Sequence, residues 1–127
     1  MTKTVLIVED EENIGIALRY LIKGQGYDVR FARDGEEALQ MVEDDPPDLM
    51  LLDVMMPKRD GYDVCQTIRS NADWQSIKII MLSAKGRDIE VEKGLALGAD
   101  AYLTKPFSTR DLAARVRSLL GDGDSDG

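Results

Sequence analysis

Apolar residues along this chain come in short unbroken runs separated by longer stretches with helical spacing. The runs fall at 4–8, 29–32, 49–52, 77–82 and 101–103. Three of them are continuous rather than alternating, the pattern of strands covered on both faces. Between them the spacing predicts five helices. The first, over 13–24, sets Ile14, Ala17, Leu18, Leu21 and Ile22 on one face. The second opens on Asp34-Gly35-Glu36-Glu37, which resembles a capping box, turns Ala38, Leu39 and Val42 inward, and ends before Pro46-Pro47. The third covers 62–70 with Val64 and Ile68 inward. The fourth, over 88–97, is the weakest: Ile89, Val91 and Leu95 form no clean stripe and Gly94 interrupts them. The fifth starts from a Ser108 cap and carries Leu112, Val116, Leu119 and Leu120.

Five strand–helix units with short connections predict an α/β fold, a single five-stranded parallel sheet wrapped on both faces, with right-handed crossovers. The pattern leaves the strand order open. Open sheets of this kind carry their sites outside the carboxyl ends of the strands. Glu9, Asp10, Asp53, Ser83 and Lys105 all stand at or just after such ends.

The chain has 127 residues, which is one domain's worth, and no internal repeat or linker. Residues 1–121 are read as that domain, and the glycine- and aspartate-rich 122–127 as a disordered acidic tail. A single cysteine, Cys65, precludes an intramolecular disulfide. No apolar stretch has the length of a membrane span, and the N-terminus runs into a strand without a signal-peptide pattern. A cytoplasmic location is the expectation. The formal charge of −8 argues against direct nucleic-acid binding. Histidine is absent, which removes Ser-His-Asp triads, Cys-His dyads and His-ligated zinc.

If the strands ending at Val8 and Leu52 are neighbours, Glu9, Asp10 and Asp53 converge at one edge of the sheet. At ~4–5 Å and an effective dielectric near 20, each like-charged pair costs roughly 4 kcal/mol. A hard divalent cation such as Mg²⁺ offsets that repulsion and takes oxygen ligands. Taken singly, each residue has an ordinary explanation: acid at a helix start, a strand-ending turn, a solvated lysine before Pro106. Their succession at strand ends, in complementary chemical types, points to phosphoryl transfer. A carboxylate attacks phosphorus, and positioning and charge neutralisation do the rest. Lys105 is the compact point charge and Ser83 the hydroxyl for a phosphoryl oxygen.

These residues sit in stretches that resemble the receiver domains of two-component response regulators. The stretches are Val-Glu-Asp-Glu (8–11), Leu-Leu-Asp-Val-Met-Met-Pro (51–57), Asp60-Gly61, Met-Leu-Ser-Ala (81–84) and Gly-Ala-Asp-Ala-Tyr-Leu-Thr-Lys-Pro-Phe (98–107). The resemblance covers residues 4 to about 120 and implies the flavodoxin-like strand order 2-1-3-4-5, for which this family is a standard example. It implies that Asp53 accepts a phosphoryl group from the phosphohistidine of a histidine kinase or phosphotransfer protein. Glu9 and Asp10 match the acidic pair that holds Mg²⁺, Asp10 more directly, and the Met55 carbonyl completes the protein's share of the metal sphere. Ser83 matches the switch hydroxyl, Tyr102 the aromatic that changes rotamer with it, and Lys105 the lysine that pairs with phosphate before a cis Pro106. Met55 and Lys85 occupy positions that tune phosphoryl lifetime in relatives. The departure is Glu9, where many relatives carry aspartate.

The resemblance also implies a downstream effector protein docking on the face of helix four, strand five and helix five. Val91, Ala96 and Ala101 stand there where DNA-binding relatives pair charges across a dimer, which argues against that style of dimer. The rival reading is a Mg²⁺-dependent aspartate-nucleophile phosphohydrolase. It is disfavoured because Asp53-Val54-Met55 places no acid two residues after the nucleophile. Of the remaining conspicuous residues, Cys65 reads as core filler and Trp74 as packing under its loop. Met50, Met55, Met56 and Met81 read as core or near-site filler. Lys58 and Arg59 read as either steering or solvated charges.

Overall fold

A computed structural model describes residues 2–56, 58–84 and 86–121. The expectations for the 122–127 tail and for Lys85 lie outside the described residues. The strands are β1 (Thr4–Val8), β2 (Asp28–Ala32), β3 (Leu49–Asp53), β4 (Lys78–Ser83) and β5 (Ala101–Thr104). They alternate with α1 (Glu12–Gly24), α2 (Gly35–Asp44), α3 (Gly61–Arg69), α4 (Asp88–Ala96) and α5 (Thr109–Leu119). All strand pairs are parallel and the order is β2-β1-β3-β4-β5.

The continuous apolar runs follow from this arrangement. In β1, Leu6 and Val8 face one core with Met50 and Leu52 of β3, and Val5 and Ile7 face the other with Leu49 and Leu51. Leu18 and Ile22 of α1 and Leu112 and Val116 of α5 cover the second face. Ala38 and Val42 of α2 and Val64, Cys65 and Ile68 of α3 cover the first. The helix starts are capped as local chemistry dictates: Asp34, Asp60 and Ser108 accept from the amides of Glu37, Asp63 and Asp111. The reciprocal half of the α2 box reaches one residue further, where the Arg33 amide donates to Glu37.

Two expectations are corrected. The Gly94 position is no interruption of α4 but its buried contact point. A Cβ there would lie 2.8 Å from Met81 Sδ and from the Tyr102 ring, so the helix docks through its bare backbone while Ile89 and Leu95 stay exposed. Ala101 is buried and takes no part in the outer face of α4, β5 and α5, because odd positions of β5 face the α1/α5 core. Of the methionines read as core or near-site filler, Met50 and Met81 are fully buried, while Met55 is exposed because the chain has left the sheet by then. Cys65 is buried, and desolvation pushes its thiol up to about 11, which suits an inert filler. Trp74 packs against the α2/α3 core.

Candidate functional site

The pairing of β1 with β3, Val8 opposite Leu52, puts the two acidic strand ends side by side. Sheet-type hydrogen bonds continue one residue past the strands and pin the residues there. The Glu9 amide donates to Ala32, that of Val54 to Leu82, and that of Lys105 to Ser83. One carboxylate oxygen each from Glu9, Asp10 and Asp53 lies within 4.8 Å of the others. Glu9 and Asp53 are buried and Asp10 is exposed. The Lys105 ammonium bridges the buried pair, 3.4 Å from Glu9 Oε1 and 3.4 Å from Asp53 Oδ1.

Burial dominates the electrostatics of these two acids. Desolvation, then the charge of Asp53, pushes Glu9 up to about 7 against the pull of Lys105 and of the Glu11 amide. Desolvation also raises Asp53, while Lys105 and a hydrogen bond from the Met55 backbone work to lower it. Fully ionised, three carboxylates and one ammonium leave a deficit of two positive charges. The donors are all oxygen, so the set fits a hard divalent cation better than zinc or copper, which favour nitrogen and sulfur ligands.

Ser83 closes β4 and is fully buried, beside Lys105 and opposite Thr104 of β5. Tyr102 lies in β5 next to Met81, half-buried, farther from the carboxylates and against α4. The Lys105–Pro106 peptide is cis, as the resemblance implies. Met55 follows Asp53 at the rim with its side chain outward. Of the two basic residues beyond it, Arg59 is tied to Asp63 and Thr67. Lys58, at a positive φ of 68°, is exposed and lies 3.6 Å from Asp34.

Sequence reasoning gave no role to Gly61. Its amide donates to the Val54 carbonyl at 2.8 Å, and a Cβ on it would stand 2.6 Å from the Asp53 carbonyl oxygen. Only glycine lets α3 begin this close to the backbone of Asp53. The signal available was the Asp60-Gly61 pair itself. Tyr62, Glu90 and Lys93 were also missed; they meet where α3 crosses α4.

Residues 5–117 match the family described as the response regulator receiver domain. The alkaline phosphatase synthesis transcriptional regulatory protein PhoP of Bacillus subtilis (strain 168) is 48% identical over 120 residues, covering 94% of this chain and 49% of its own length. The chain thus spans about half the length of that curated relative. A crystal structure of a putative response regulator from Chloroflexus aurantiacus J-10-fl superposes with a TM-score of 0.91 at 37% identity, covering 95% of this chain and 99% of that one. A CheY-like response regulator receiver domain protein from Methanospirillum hungatei JF-1 gives 0.88 at 27% identity with both chains fully covered. This chain belongs to the response regulator receiver domain family, the phosphorylation-activated switches of two-component signalling.

Proposed function

We propose that Asp53 is the phosphoacceptor, with residues 1–121 forming the receiver unit. The observation that carries this reading is the Lys105 ammonium held 3.4 Å from both buried carboxylates with Asp10 alongside. An Asp53 carboxylate oxygen attacks the phosphorus of a phosphohistidine on a kinase or phosphotransfer protein. The P–N bond breaks, its electron pair returns to the departing imidazole, and an acyl phosphate remains on Asp53. Glu9, Asp10, Asp53 and the Met55 carbonyl are the residues to hold Mg²⁺. The ion, when bound, supplies charge neutralisation to the phosphoryl oxygens.

Lys105 then exchanges its carboxylate partners for a phosphoryl oxygen, and the Ser83 hydroxyl donates to another. The phosphoryl group adds ~1.5–2 negative charges next to groups already poised around Asp53. Tyr102 turns inward with Ser83, and the α4–β5–α5 face changes shape for a downstream effector. The low density of buried side chains in α4, where Gly94 alone is buried, suits an element that shifts readily. Among the described residues no helix is long and apolar enough to cross a membrane, and the family's setting makes the cytoplasm the proposed location.

The test is intact mass after incubation with acetyl phosphate and Mg²⁺. Wild type is expected to gain one labile phosphoryl group and Asp53→Asn none. A wild type that stays unmodified, or an Asp53→Asn variant that is modified equally, overturns the assignment. A phosphoester turnover assay separates the switch from a hydrolase, because only the hydrolase cycles many times per chain. Equal amide-exchange protection over 86–107 with and without beryllofluoride would remove the switching step.

A further inference from the structure

The contact between α3 and α4 is built from groups that the phosphoryl site does not use. Tyr62, the second residue of α3, donates its hydroxyl to the Glu90 carbonyl of α4 at 3.2 Å. The same hydroxyl lies 3.4 Å from the Tyr102 hydroxyl. The two hydroxyls and the α4 backbone thus meet at one point, with the Tyr62 proton directed to the Glu90 carbonyl. The Lys93 ammonium sits 4.4 Å above the centre of the Tyr62 ring. Tyr102 in turn lies against Gly94, where no side chain stands between the ring and the helix. Burial first, and the Tyr102 hydroxyl second, lift Tyr62 well above the ordinary phenol range, so it stays a donor.

We propose that Tyr62 is a latch on the switch: its hydroxyl couples Tyr102 to α4 and holds both in the arrangement seen while Lys105 pairs with Glu9 and Asp53. The inference rests on the proposed phosphoryl switch, in which Tyr102 changes rotamer and gives up this contact. Both hydrogen bonds are longer than the usual 2.7–2.8 Å of O–H···O contacts. Position 62 acts through Tyr102, and its hydroxyl partners are the Glu90 carbonyl and the Tyr102 hydroxyl.

The test uses Tyr62→Phe, which keeps the ring under Lys93 and removes only the hydroxyl. In Mg²⁺-saturated protein this variant is expected to bind beryllofluoride about fivefold more tightly than wild type, the scale of one neutral hydrogen bond. In a Tyr102→Phe background the same change is expected to have a smaller effect, because only the bond to the Glu90 carbonyl is then lost. In protein without beryllofluoride, Tyr62→Phe is expected to speed amide exchange within α4. Unchanged or weaker beryllofluoride binding overturns the latch, as does an equal effect in both backgrounds. A wild type that binds no beryllofluoride refutes the phosphoryl switch itself; α4 exchange unaltered by Tyr62→Phe then refutes the latch separately.

Discussion

Glu9 is a fully buried carboxyl whose partners pull in opposite directions, and its protonation couples stability to pH. Its folded pKa lies at about 7, above the ordinary 4.5. A group raised in this way contributes stability that is complete below the unfolded value and lost as pH climbs through the folded one. The metal-free protein is therefore expected to lose stability between those two pH values, by up to about 3 kcal/mol. Asp53 is raised for the same reason and adds in the same direction. Denaturation in chelator at about pH 5 and about pH 8 checks this, and Glu9→Gln should flatten most of the difference. An unaltered pH profile in that variant would show that Glu9 does not titrate in this window. Lys105→Met should cost about 2–3 kcal/mol at the higher pH, where two buried carboxylates lose their counter-charge, and much less at the lower. Mg²⁺ should restore much of that loss.

At the scale of the element, glycines with similar letters have opposite consequences. Gly61→Ala sets a Cβ against backbone, 2.6 Å from the Asp53 carbonyl oxygen and 2.8 Å from the Val54 Cα, and backbone cannot swing aside. It should destabilise by about 1–3 kcal/mol and weaken metal binding, because the strain falls on the residue that carries the chemistry. Gly24, the last residue of α1, has nothing within 4 Å of a built Cβ and an ordinary φ. Gly24→Ala should stabilise by about 0.5–1 kcal/mol. Thermal melts of the two variants test the pair, and a harmless Gly61→Ala would contradict the close approach. The strands and most helices were legible because burial marks them plainly: β1, β3 and β4 are buried on both faces and read as unbroken apolar runs, and α5 keeps Leu112 and Val116 on one face. α4 was hard to read because it docks through a missing side chain, which leaves no mark in an apolar stripe. Ala101 was misread because an alanine has little of its own to say about which face of β5 it occupies. Tyr62, Glu90 and Lys93 were invisible for a different reason: their meeting depends on how α3 crosses α4, which no local spacing encodes. The carboxylates, Ser83 and Lys105 were legible because parallel topology fixes where strand ends must lie.

At the scale of the molecule, the fold gathers charge that it does not neutralise. Its formal charge of −8 is spread over the surface, but the sheet's carboxyl edge concentrates two buried acids and a third beside them. Folding bears that repulsion, while the unfolded chain disperses the same groups into water. A divalent cation that binds only the assembled edge must therefore stabilise the whole domain by mass action, about 2.7 kcal/mol at a hundredfold excess over Kd. For a chain of this length the entropy of unfolding converts that into a Tm rise of about 10 °C. Calorimetry with Mg²⁺ against chelator at neutral or higher pH should show it. Asp10→Asn and Asp53→Asn should each remove most of the rise, for each deletes one of the converging oxygens. Acidification should remove it too, since protons compete for Glu9. Added monovalent salt should trim the effect without abolishing it, because the exposed charges are screened and the buried pair is not. A Tm indifferent to Mg²⁺ would mean that Lys105 alone balances this edge, and that the carboxylates converge without forming an ion site.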